Sequence, residues 1–325
     1  MNGLEIIQPG LRTTVQDLGR LGFQHHGLAQ GGAADDHAFR WANKLLDNKA
    51  GDACLEILMG GFEAFCHRTA VVAITGADAD IRINGVSVEN WASHRLSPGD
   101  RIAVGRPFAG MLNYLAVRYG WQTPERFGSR SMVIRERLEG VKTLTKNTLL
   151  AIKPQPDTDV PAGRRVPQQH RRDYRDPLCL RLLPCYQHAL FSQEDRWQLT
   201  HAVYNVGNRS DRMGYRLEGP SLDSGPGGIV SEGIALGSVQ VPGDGQPIVL
   251  LQDRQTIGGY PKIGTLAAAD CSRLAQKPPG SQIRFRFADL ADIQSERMVW
   301  NRFFQATQWQ SDGKTLLWNS PPVPN

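Results

Sequence analysis

Hydrophobic positions along the chain fall in short alternating runs separated by glycine turns. The runs Ala70-Val-Val-Ala-Ile74, Ile81-Arg-Ile83, Arg101-Ile-Ala-Val104, Ile248-Val-Leu-Leu251 and Gln282-Ile-Arg-Phe-Arg-Phe287 are all strand-sized. Alternation between turn signals predicts a mainly β fold, a barrel or a sandwich. Two turns recur in the halves of the chain. Leu96-Ser-Pro-Gly-Asp-Arg-Ile102 and Ala275-Gln-Lys-Pro-Pro-Gly-Ser-Gln-Ile283 each place Pro-Gly shortly before an isoleucine that opens a strand. Asp17-Leu-Gly-Arg-Leu-Gly-Phe23 and Asp211-Arg-Met-Gly-Tyr215 each end in glycine followed by an aromatic residue. Such turn chemistry suits a tight reversal feeding a strand, and its recurrence hints at two related barrels.

Few segments carry a helical period. Ala34, Ala38, Trp41, Ala42 and Leu45 share one face behind Asp35 and Asp36, whose carboxylates suit a helix N-terminus. A second helix is predicted to begin at Ser192, with Asp195 completing an imperfect capping box. Trp300, Phe303 and Phe304 form a third apolar face. Trp309, Trp318 and a tail ending Pro321-Pro-Val-Pro-Asn325 follow it, either to dock a partner protein or to fold back on the same domain.

The stretch from Pro154 to Pro177 is rich in proline and arginine and divides the chain near its middle. The expected organisation is a first barrel domain over 1–165, a second over 166–290, and a C-terminal helix and tail over 291–325. Arg164, Arg165, Arg171, Arg172 and Arg175 cluster in that stretch. They read as a solvated linker, with docking of an acidic partner as the alternative.

Composition narrows the class. The chain has 325 residues, 40% hydrophobic and 21% charged, with a net charge of +5. No apolar run approaches the roughly 20 residues a membrane span needs, and no N-terminal signal is read, so a soluble protein is expected. Five cysteines without CxxC spacing argue against a disulfide framework and favour the reducing cytoplasm. No basic stripe with interleaved aromatics points to nucleic acid. The phosphate loop, the GxGxxG fingerprint, HExxH and the GxSxG elbow are all absent, as is a biotin-carrying Met-Lys-Met. His25 and His26, on an extended chain, point to opposite faces, so no metal is predicted.

Candidate chemistry concentrates in Gln252-Asp-Arg-Gln-Thr-Ile-Gly-Gly-Tyr-Pro-Lys262, directly after a strand. Asp253 is placed as a general base, Lys262 as a carboxylate holder and Tyr260 beside them. Gln255 and Thr256 line the pocket, while Gly258 and Gly259 admit a ligand to the backbone. A hydrogen-bonded hairpin is the plainer alternative. Asn208-Arg-Ser-Asp-Arg-Met-Gly-Tyr-Arg216 offers Arg209 and Arg212, with Asp211, to an anion. The same stretch also reads as an Asx turn braced by an Arg-Asp pair. Gly128-Ser-Arg-Ser131, through its backbone donors and Arg130, is a third candidate anion cradle.

Taken together and in order, Gly10-Leu-Arg-Thr-Thr-Val-Gln-Asp-Leu-Gly-Arg20, Thr75-Gly-Ala-Asp78, Gly128-Ser-Arg-Ser131, Ser210-Asp-Arg-Met-Gly214, Ser231-Glu-Gly-Ile234, Val241-Pro242 and Gln252 to Lys262 carry a likeness. The chain resembles the biotin-dependent carboxyltransferase-like family over about 4–289. Its members serve in bacterial 5-oxoprolinase, in urea carboxylase and as antagonists of a histidine-kinase inhibitor. The resemblance implies two cyclophilin-like β-barrels with a few short helices. It implies work as the C subunit beside a kinase-inhibitor-like B subunit and an A subunit, opening the lactam of 5-oxoproline with ATP handled by the complex. The alternatives it implies are carboxyl transfer from biotin carried by another chain, and a non-catalytic antagonist. Gly31-Gly-Ala-Ala-Asp35, Glu139-Gly-Val-Lys-Thr-Leu144 and Leu183-Pro-Cys-Tyr-Gln187 depart from the family pattern.

Overall fold

The computed structural model describes residues 3–141, 143–153, 162–224, 228–310 and 316–318. Pro154, Pro156, Pro161 and the proline-bearing end 319–325 lie outside the described residues. The first unit runs β1 (Gly3–Pro9), β2 (Arg12–Gln16), α1 (Asp36–Leu45), β3 (Cys54–Leu58), β4 (Phe62–Cys66), β5 (Ala70–Ile83), β6 (Val86–Val88), β7 (Ala92–Leu96), β8 (Arg101–Val117) and β9 (Leu149–Ala151). These nine strands form one antiparallel half-barrel sheet, ordered β2-β3-β8-β4-β1-β9, with β5 pairing β6, β7 and β8. Its inward residues, Leu4, Ile6, Leu55, Val72, Ile74 and Leu115 among them, make one core cluster.

The predicted runs 70–74 and 81–83 are the two ends of one fourteen-residue strand, β5. The alternation breaks at Gly76, where φ is +101° and register shifts follow at Asp78 and Ala79. An added Cβ at Gly76 would stand 2.3 Å from the Leu112 carbonyl oxygen, so only glycine lets β5 lie against β8 there.

The second unit continues with β10 (Leu178–Pro184), α2 (Gln193–His201), β11 (Tyr204–Val206), β12 (Gly214–Glu218), β13 (Glu232–Gly233), β14 (Ser238–Gln240), β15 (Ile248–Leu250), β16 (Ile257–Gly258), β17 (Lys262–Leu266), α3 (Ala268–Leu274) and β18 (Gln282–Phe287). Seven of these strands close a barrel in the order β10-β17-β14-β15-β12-β11-β18. Closure is made by β18 lying parallel to β10. Closure removes the free edges that an open sheet would expose. Leu180, Tyr204, Leu217, Val239, Val249 and Phe285 fill it.

The matched turns are real at the level of hydrogen bonds. Asp100 N donates to Ser97 O, and Ser281 N donates to Pro278 O, with Gly99 and Gly280 both at positive φ. The Asp17 carboxylate accepts from Gly19 N and the Asp211 carboxylate from Met213 N, two Asx turns of the same kind.

The arginine-rich stretch is laid along the first unit and is not a solvated linker. Val166 N donates to Trp91 O, and Arg164 and Gly163 bond Ser93. Arg164 pairs with Asp47, Arg165 and Arg171 with Glu89, and Arg175 with Asp78. The acidic surface these arginines meet is the chain's own.

The chain then returns to the first unit. α4 (Leu290–Ala306) leads to β19 (Thr307–Trp309), which pairs with β20 (Leu316–Trp318). Phe303 and Phe304 pack on Trp41 of α1. The Lys44 ammonium bonds the Phe304 and Thr307 carbonyls, and the Trp309 indole donates 2.8 Å to Lys44 O. The apolar face of α4 thus covers its own chain.

Candidate functional site

Side-chain polar groups join the two units before they form any cleft. Arg212, buried just ahead of β12, donates to both oxygens of Asp253 at 2.9 and 2.8 Å. It also reaches into the first unit, to Glu56 at 2.5 Å and to Gly32 O at 2.7 Å. Glu56 is satisfied in turn by Tyr114 Oη at 2.7 Å and by Ala34 N at 2.9 Å. Burial opposes the charge on Arg212, but Asp253 and Glu56 outweigh it and raise the pKa. A second joint centres on Asp35, the N-cap of α1. Its carboxylate accepts from His37 N, Ala38 N, the Tyr174 hydroxyl and Gln276 Nε2. Gln276 also binds Met111 N, Leu112 N and Leu112 O, so one amide from the second unit caps the edge of β8.

Beside these joints lies a cleft of about 630 Å³. Its walls include the loop after β2 at Asp17, Leu18 and Leu21, the start of α1, the start of α3, Gln252 after β15, and one face of α4. Its arginines already face carboxylates. Arg40 meets Asp36 at 2.8 Å, Arg172 meets Asp35 at 3.4 Å, and Arg181 grips Asp270 through two bonds while also pairing with Glu296 of α4. Arg297 on the α4 wall is exposed and has no ion pair among the described residues.

Two acceptors in this cleft are unusual. His37 is buried, its ring stacked on Trp300 at 4.9 Å and 14° and tilted against Trp91 at 5.5 Å. Burial, and then the Arg172 charge, push its pKa well below the ordinary histidine value; a hydrogen bond to the His170 backbone opposes them only in part. Its Nδ1 has no hydrogen-bond partner among the described residues. Gln252 donates from Nε2 to Ala33 O at 3.0 Å across the junction, and its Oε1 has no such partner either.

None of the residues given a site role from sequence lines the cleft; of the candidate stretch 252–262 only Gln252 does. Asp253 is committed to Arg212, so it is not a free base. Asp211 closes its own Asx turn by accepting from Met213 N and Gly214 N, and Arg209 is exposed. The loop Gly128-Ser-Arg-Ser131 does cradle an anion, but that anion is Asp17. Its carboxylate accepts from Ser129 Oγ at 2.7 Å, Arg130 N at 2.6 Å and Ser131 Oγ at 2.5 Å. The Arg130 guanidinium turns away to Thr123 O and Glu125. His25 and His26 sit on a short 3-10 turn with rings 4.0 Å apart, on one side and not on opposite faces as expected.

Gly258 and Gly259 do not admit a ligand. β16 pairs with β13, Gly259 O accepts from Ile229 N, and an added Cβ at Gly258 would lie 2.5 Å from Ile234. This is the hairpin-like alternative, closed by residues from 228–234. Gln255 and Thr256 are half-buried beside it, and Tyr260 is exposed. Lys262 is gathered into a separate cluster on the second barrel, where its ammonium meets Glu232 and stands 5.7 Å from the Tyr186 ring. Tyr186 and Gln187 also bond Glu232.

Sequence reasoning missed His37, Arg172, Ser272 and Trp300 as cleft residues. His37 carried a faint signal, because it follows the N-cap aspartate of a short helix.

Comparison with known proteins adds to this geometry. The family model for the carboxyltransferase domain, subdomain A and B, matches residues 26–287. The 5-oxoprolinase C subunit of Escherichia coli (strain K12) is 34% identical over 313 residues, covering 94% of this chain and 98% of that one. The crystal structure of TTHA0988 superposes with a TM-score of 0.80 at 32% identity, covering 88% of this chain; the chain spans 56% of that one. Kluyveromyces lactis urea carboxylase shares the fold, with a TM-score of 0.87 at 22% identity over 98% of this chain and 31% of that one.

Proposed function

The chain belongs to the carboxyltransferase-domain family of subdomains A and B, and from that premise we propose that it is the C subunit of an ATP-dependent 5-oxoprolinase. The observation that carries this reading is the 34% identity to a protein of that name over nearly the full length of both chains. The inter-unit cleft is the place for the substrate. It is large enough for a small ring acid, and α4 shields one side of it from water.

A stable lactam needs activation before water opens it, and most of the cleft's arginines are not free to take a triphosphate. Arg40, Arg172 and Arg181 are each engaged by a carboxylate of the chain itself. On this reading nucleotide chemistry belongs to another polypeptide of the complex, which the absence of a phosphate loop from the sequence supports. On this reading the chain is inactive alone. It works with a kinase-inhibitor-like B subunit and an A subunit, in a reducing cytoplasm that suits its five free thiols.

The test is ATP-dependent release of glutamate from 5-oxoproline, by the chain alone and then mixed with candidate A and B subunits. Turnover only in the mixture is expected. Within the active mixture, Ala269→Trp fills the cleft and should raise KM or abolish turnover. No turnover in any mixture would move the reading to carboxyl transfer, with biotin delivered by another chain, or to an antagonist that catalyses nothing.

A further inference from the structure

We infer that Arg297 is the cleft's anchor for a ligand carboxylate, so that the cleft takes a small acid with an apolar body in preference to the corresponding neutral amide. This rests on the reading of the cleft as the substrate site.

The cations that the sequence offers for such a group are taken. Lys262 meets Glu232, and Arg212 is held by Asp253 and Glu56. Within the cleft, Arg40, Arg172 and Arg181 each face a carboxylate of the chain. The carboxylates lining it are likewise satisfied. Asp36 pairs with Arg40, Glu296 with Arg181, and Asp17 accepts from Ser129 Oγ, Arg130 N and Ser131 Oγ. Among the arginines and carboxylates of the lining, Arg297 alone has a side chain with no hydrogen bond or ion pair among the described residues.

Helix geometry turns that side chain toward the cavity. Ile293, Glu296, Arg297, Trp300 and Phe303 of α4 all line the cleft, and their spacing keeps them within about a third of the helix circumference. Arg297 stands at the edge of this stripe, so it lines the cavity and still stays exposed. Glu296, its neighbour, reaches across to Arg181, where its charge is already balanced. A guanidinium fork binds a carboxylate through two parallel bonds. Leu21, Leu236, Ala268 and Trp300 offer apolar surface to the rest of the ligand. A free charge at the rim and apolar surface within set one orientation, with the carboxylate at α4 and the ring inward.

The experiment uses the assembled complex and two ligands, 5-oxoproline and its carboxamide, in which a neutral amide group replaces the carboxylate. Titration calorimetry should show wild type binding the acid at least about tenfold more tightly than the carboxamide. Arg297→Gln should bring that ratio toward one by weakening the acid alone, and an unchanged affinity for the carboxamide reports a folded cleft. Arg297→Lys keeps the charge and should retain part of the preference. Hydrogen exchange gives a second reading. Since α4 has no buried residue, 5-oxoproline should slow the exchange of its amides in wild type and not in Arg297→Gln. A ratio that Arg297→Gln leaves unchanged, a lysine variant no better than glutamine, or no preference in wild type overturns the inference. A complex that turns over 5-oxoproline normally yet gives any of these results leaves the proposed function standing; one that neither binds nor opens 5-oxoproline removes that function and the inference with it.

Discussion

Arg212 carries a charge in a place that water does not reach, and it is tolerated because two carboxylates and a carbonyl surround it. Removing one partner of such a group leaves the others buried and unpaired, which costs about 3–5 kcal/mol. Arg212→Met should therefore lower the unfolding free energy read from denaturant melts by that order, and Asp253→Asn by less, since a neutral acceptor remains. His37 adds a pH effect whose direction follows from its lowered pKa. The unfolded chain takes up a proton near the ordinary value of 6.5, and the folded chain only at lower pH. The neutral ring's contribution is thus complete above that value and is lost as pH falls below it. His37→Phe should flatten the fall in stability between about pH 7 and 5, read from denaturant melts at each pH. At this scale the sequence was a good guide to which residues are polar anchors and a poor guide to what they anchor. Asp253 and Arg212 stand out as chemically charged spots, and Asp17 only as the head of a turn. Their partners, Glu56 and Ser129 among them, lie too far along the chain for spacing to reveal.

Among the elements, α1 and α2 were legible because each carries its own start signal. Asp35 accepts from two backbone amides of α1, and Ser192 with Asp195 forms a complete capping box on α2. Ser192→Ala should cost about 1 kcal/mol by thermal or chemical melting. α3 went unread, since its N-cap Ala267 offers no side-chain oxygen and its seven residues are too few to show a period. The long strands β5 and β8 were read only in part, because Gly76 and Pro107 interrupt the alternation while the backbone runs on. α4 differs from the other helices in having no buried residue. It is held at one end by Arg181 and at the other by aromatic contacts with α1. Its amides should exchange with deuterium well before those of the barrel strands, and Trp300→Ala should speed them further.

For the molecule as a whole, repeated turns and alternating strands were enough to suggest two β units, and the match of local turn bonds shows why. The cleft was not legible. Its walls come from residues within 17–40, 170–181, 236–252, 267–272 and 293–303, which the fold alone brings together. Arg172 sits in a stretch whose prolines resemble a linker, and nothing local tells that Tyr174 and Arg172 will meet Asp35. The junction built by Arg212, Gln276 and Asp35 should make the two units melt together, as one calorimetric transition in the wild-type chain. Combining Arg212→Met with Gln276→Leu should split that transition in two.

The return of α4 to the first unit has a consequence in polymer terms. The segment 162–177 leaves the half-barrel along β7, and 300–309 lands back on α1, so the second barrel is a loop pinned at both ends. If that barrel opens while the first unit holds, its chain cannot wander freely, since its ends stay a fixed distance apart. The opened state is poorer in conformations than a free chain of the same length, much as it would be behind a covalent crosslink. The aromatic clasp of Trp41, Phe303 and Phe304 can thus stabilise a barrel in which none of the three is a core residue.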